Sequence, residues 1–100
     1  MFEAIKKVML EKYSLHFDKK AKDFTDFNGT VYNDKKEPFE IEGSIEWFEK
    51  EKQIAYAVLF YDLTRHVEYD GIIGTFCNVN KEDIDRLLAI IFEPNFIECK

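Results

Sequence analysis

Hydrophobic positions along this chain change their period twice, from a helical repeat to a strand repeat and back. Within Met1–His16, the residues Phe2, Ile5, Val8, Met9, Tyr13 and His16 recur at three- and four-residue steps. Those steps gather side chains on one stripe of a helix and leave Lys6, Lys7, Glu11 and Lys12 to solvent. His16, closing this helix, would meet the negative end of its dipole. The segment Asp18–Asp23 has no apolar period and is expected to be an exit loop.

From Phe24 the period becomes two. Phe24–Asn33 is expected to form a weak strand, or a small hairpin turning at Asn28-Gly29, a dipeptide suited to positive φ. A polar turn, Asn33–Lys36, precedes Pro38. Phe39, Ile41, Gly43, Ile45 and Trp47 then alternate with Glu40, Glu42, Ser44 and Glu46. Successive strand side chains point to opposite faces, so this is a half-buried strand with carboxylates outside. Glu49–Lys52 supplies a charged hairpin connection.

Gln53–Tyr61 is apolar on both sides. Ile54, Tyr56, Val58 and Phe60 line one face, and Ala55, Ala57, Leu59 and Tyr61 line the other. A strand without a polar face is central and covered twice, or is covered in part by a partner. After a turn at Asp62–Arg65, His66–Val79 is expected to be a fourth strand, bulged at Asp70-Gly71.

A second helix opens at Asn80, a good N-cap, with Glu82 and Asp83 at its positive end. Ile84, Leu87, Leu88 and Ile91 give its apolar stripe, widened by Ile90 and Phe92, and Pro94 ends it. Phe96–Cys99 adds a short strand or a packed tail. The predicted fold is therefore α+β, in the order α-β-β-β-β-α. A four-stranded antiparallel meander sheet is flanked by N-terminal and C-terminal helices, one domain over residues 1–100. Two helices with one apolar stripe each are expected to cover the same sheet face, with packing on opposite faces as the chief alternative.

Composition adds an aromatic core: 46% of residues are apolar, among them ten Phe, five Tyr and one Trp. The longest apolar run, Ile54–Tyr61, is far short of the roughly 20 residues of a membrane helix. Glu3, Lys6 and Lys7 interrupt any secretory leader. No membrane contact is expected, and the location expected is cytoplasmic. Cys77 and Cys99 form no close motif and are expected to be reduced, small apolar fillers.

Charge narrows the class of partner. The net charge of −6 is concentrated in residues 23–51, where three Lys face nine acids, whereas residues 1–22 carry six Lys against three acids. The chain as a whole has no basic footprint to neutralise phosphates, so nucleic-acid binding is not expected. An acidic middle attracts a basic protein instead.

Catalytic signatures are missing. His66, Glu68 and Asp70, at spacing two, would share a strand face where a divalent metal or an acid–base pair could sit. No motif positions further ligands, so no metal, cofactor or catalytic residue is assigned, and the chain is not expected to be an enzyme. The surface that invites a role is an apolar patch of Phe48, Leu59 and Tyr61 bordered by Glu40, Glu42 and Glu46. It is expected to dock a basic protein partner, in a small binding or inhibitory module. One alternative is a homodimer pairing through that same face. Another is a small-ligand binder or enzyme with a pocket between helices and sheet, using Tyr56, Tyr69, His66 and Glu68.

Overall fold

In the computed structural model, residues 1–93 are described, with all their side chains except those of Lys19, Lys20, Tyr69 and Asp70. The element order is α1 (Phe2–Tyr13), β1 (His16–Ala21), β2 (Phe24–Tyr32), β3 (Pro38–Phe48), β4 (Gln53–Asp62), β5 (Val67–Phe76), a 3₁₀ turn (Lys81–Asp83) and α2 (Ile84–Phe92). The class is α+β as expected, but among the described residues the antiparallel sheet has five strands rather than four, ordered β1-β2-β3-β4-β5.

The additional strand comes from the segment expected to be a loop. Helix α1 stops at Tyr13 because Ser14 takes a left-handed conformation, φ 54°, its N–H returning to the Leu10 carbonyl and that of Leu15 to the Met9 carbonyl. The chain is thereby turned back onto the sheet, and Leu15 is buried. His16 therefore begins β1 and does not cap the helix; it is exposed, beside Asp18. The polar run that follows is the edge strand of the described sheet, and a strand paired on one side needs no apolar alternation.

Strand β2 is continuous, so the alternative hairpin at Asn28-Gly29 does not form. Every residue from Phe24 to Tyr32 pairs with β3, and no glycine has positive φ. Gly29 lacks a side chain because Leu15 occupies the space a Cβ would need.

The stronger expectations hold. β3 alternates buried Phe39, Ile41, Ile45 and Trp47 with exposed Glu40 and Glu42 and half-buried Ser44 and Glu46. Lys52 closes the Glu49–Lys52 hairpin, its N–H donating to the Glu49 carbonyl and its ammonium lying 2.6 Å from the Glu49 carboxylate. Between β4 and β5 the register slips across Leu59, where Asp70 and Gly71 oppose one residue, as a bulge requires.

Both helices lie on one face. Phe2, Ile5 and Met9 of α1 and Ile84, Leu87, Leu88, Ile91 and Phe92 of α2 share one core with Phe27, Val31, Phe39, Ile41, Ile45, Trp47, Ile54, Val58 and Phe60. Phe92 meets Phe27 edge-on at 5.3 Å. Ile90, expected to widen the stripe, is exposed instead. Asn80 opens the last element as expected, its N–H donating to the Asp83 carboxylate. Pro94, the tail Phe96–Cys99 and the thiol of Cys99 lie outside the described residues. Cys77 is an exposed free thiol and not a packed filler.

Candidate functional site: the open face of the sheet

Because the helices cover only one side, the other side of the sheet has no layer over it among the described residues. Antiparallel pairing fixes its arrangement. Glu40 sits opposite Tyr61, Glu42 opposite Leu59, Ser44 opposite Ala57 and Glu46 opposite Ala55. On the other flank of β3, Asn28 pairs with Glu42 and Asp26 with Ser44. Beyond β4, Ile73 pairs with Ala57, and Glu68 with Tyr61. The apolar members form a band along β4 and β5, and the carboxylates frame it.

Leu59 is 50% exposed, Ile73 86% and Phe48 36%, while Tyr61, Ala55 and Ala57 are half-buried. Of the residues expected to bind a partner, Glu40, Glu42, Leu59 and Tyr61 stand together. Glu46 shares their face one step further along β3. Phe48 lies at the far end of the strand, opposite Gln53.

Two shallow grooves cross this surface. One, of about 330 Å³, runs between Glu40, Glu42, Leu59, Tyr61 and Glu68. The second, of about 430 Å³, is lined by Asp18, Asp26, Glu42, Ser44, Ala57 and Leu59. Asn28, Glu42 and Leu59 border both, so the grooves flank a shared ridge.

Six carboxylates therefore surround the band. Asp18 accepts a 2.6 Å hydrogen bond from the Asn28 amide and lies 3.4 Å from His16. Asp26, Glu40, Glu42, Glu46 and Glu68 have no ion-pair partner among the described side chains. Asp18, Asp26 and Glu68 were not part of the expected site. The signal for Asp26 was present, since Thr25, Phe27 and Val31 are buried and Asp26 and Thr30 face away. A turn-forming dipeptide in mid-strand concealed that alternation.

The polar cluster on β5 is not assembled as its spacing suggests. His66 sits in the β4–β5 turn with φ 56°, before the strand begins. Glu68 faces the open side, and the Asp70 side chain is outside the described set. Among the described residues, no group of three His, Cys, Asp or Glu is placed to hold a metal ion. The residues suggested for an internal pocket are also apart. Tyr56 stacks on Phe76 at 5.4 Å on the helix-covered face, opposite the face of Glu68; the Tyr69 side chain is outside the described set.

Perturbed titrations cluster elsewhere, at the end of the sheet. Asp62 is fully buried, and its carboxylate accepts hydrogen bonds from the Thr64 and Arg65 N–H groups and from the Arg65 guanidinium. Burial opposes its ionisation, but those donors hold it below the usual aspartate value. Arg65 also reaches Glu37, which Asn33 and Arg65 together lower. This network ties the β2–β3 turn to the β4–β5 turn. At the opposite edge, burial and a 3.0 Å hydrogen bond to Glu93 raise the Tyr13 phenol. Both clusters are satisfied internally and hold turns and helices together.

In comparisons with known proteins the chain matches no family model, no curated protein and no solved structure. No helix among the described residues is long and apolar enough to cross a membrane.

Proposed function

We propose that the chain is a small protein-binding or inhibitory module that docks a basic protein partner on the open face of its sheet. The observation that carries this reading is Leu59, half exposed and opposite Glu42, among carboxylates of which five have no ion-pair partner among the described side chains. Apolar area of this kind, with a charged rim, is the composition of an interaction surface. Covering a few hundred Å² of it contributes several kcal/mol at roughly 25 cal/mol per Å², before the cost of association. The carboxylates add selectivity for a positively charged surface and accelerate the encounter.

Capture from native lysate with wild type and with Glu40→Lys/Glu42→Lys/Glu46→Lys tests the reading. Each captured protein is then purified and titrated calorimetrically against wild type, the triple variant and Leu59→Asp. A basic protein should bind wild type and lose affinity at least about tenfold with either variant, as removal of a central contact or reversal of rim charge demands. Equal recovery and equal affinity for all three chains would remove this face from the function.

A further inference from the structure

The two edges of the sheet are protected very differently. β1 is six residues long, carries Lys19 and Lys20, and slips register between Phe17 and Lys20. Short length, lysines and a bulge are the devices that stop an edge strand from recruiting another strand. β5, at the other edge, is ten residues long and contains no Lys, Arg or Pro. Its bulge lies at Asp70-Gly71, so Ile72–Phe76 remains a regular run, paired with Ile54–Val58 on its inner side and with no strand on its outer side among the described residues. Within that run Ile73 is 86% exposed.

We propose that β5 pairs with β5 of a second copy, antiparallel, about a twofold axis at Ile73. Ile72–Gly74 of the two regular runs then face each other and join the sheets edge to edge, ten described strands in all. The register argues for a second copy of this chain as the occupant. Centred on Ile73, the pairing sets Ile72 opposite Gly74, Gly71 opposite Thr75 and Asp70 opposite Phe76. Glu68 falls past the end of the partner's β5, so no two acids are opposed. Centring on Tyr69 would instead oppose Glu68 and Asp70, which like charges disfavour. On the helix side, Ile72 of each copy would lie across from Gly74, the residue that Tyr56 covers. The dimer is joined by its edges, not by its faces, so both acidic faces stay free on the same side. This inference stands independently of the proposed partner.

One strand pair is a small interface, so association is expected near 100 µM, an order-of-magnitude figure, and not at nanomolar concentration. Light scattering should show the mass rising from 11.9 kDa toward twice that value with concentration. Ile73→Lys places two lysines at the axis and should weaken the dimer at least about tenfold. Because that side chain is exposed, circular dichroism and the melting temperature should be unchanged.

Register is read by disulfide trapping in a Cys77→Ser/Cys99→Ser background. Opposed side chains on antiparallel strands have Cβ atoms about 4.5–5.5 Å apart, near disulfide reach. Ile73→Cys should therefore cross-link to its copy, whereas Thr75→Cys, opposite Gly71, should not. A monomer at every concentration up to about 1 mM would overturn the proposal. So would a dimer indifferent to Ile73→Lys, cross-linking through Thr75→Cys alone, or an edge that takes only another protein's strand.

Discussion

Asp62 shows how one residue is held by its surroundings. Its carboxylate is removed from water, and two backbone N–H groups and the Arg65 guanidinium replace the lost hydration. Asp62→Ala leaves those two N–H groups without their acceptor and should cost about 1–3 kcal/mol in chemical denaturation at neutral pH. The sign with pH follows from the lowered pKa. A carboxylate that binds its proton less readily when folded stabilises the fold above its unfolded value, 3.8 for aspartate. That stabilisation is lost as pH falls through the lower folded value. Wild type should therefore lose melting temperature below about pH 4, and the gap to Asp62→Asn should narrow over that range. An unchanged gap from neutral to acid pH would show that ionised Asp62 contributes nothing.

At the scale of elements, the α1–β1 junction decides the strand count. Ser14 occupies the left-handed region, where a Cβ is unfavourable and where helix ends commonly use glycine. Ser14→Gly should stabilise the protein by about 0.5–1 kcal/mol, read as a higher denaturation midpoint with unchanged slope. A lower midpoint would mean that the serine side chain has a role at this turn. The centre of the sheet shows the opposite constraint. At Gly43 a Cβ would collide with the Ala57 carbonyl of the neighbouring strand, so β3 and β4 approach closely only because that position is bare. The register across this point sets Glu42 directly opposite Leu59.

These elements show why some parts were legible and others were not. β3 and β4 were readable because alternation and continuous hydrophobicity reflect burial on one side or two. β1 was not, because an edge strand with polar residues carries almost no periodic burial, and its turn lacks Gly or Pro. The candidate face was legible on β3 and β4 alone. Asp18, Asp26, Glu68 and Ile73 join it through strand pairing, which no local pattern encodes.

For the whole molecule, the charge distribution separates two kinds of association. Docking of a basic protein on the open face is an attraction between unlike charges and should weaken as salt rises. Pairing of two chains, each of net charge −6, must overcome repulsion and should tighten as salt rises. Sedimentation at low and at about 0.5 M salt distinguishes them by the direction of the change. Self-association that weakens with salt would contradict edge pairing driven by backbone and apolar contacts.

Local pattern by itself determined the two amphipathic helices, the half-buried β3, the doubly apolar β4 and the concentration of acids in the middle of the chain. Each is a consequence of side-chain period against one or two buried faces, and period is a property of sequence. Only the tertiary structure decided between one covered side, the expected arrangement, and two, added a polar segment to the sheet, and set which carboxylates meet Leu59. Those outcomes depend on pairing between distant strands and on which side of the sheet the helices occupy. Both are settled when one apolar core closes and no described element covers the remaining face.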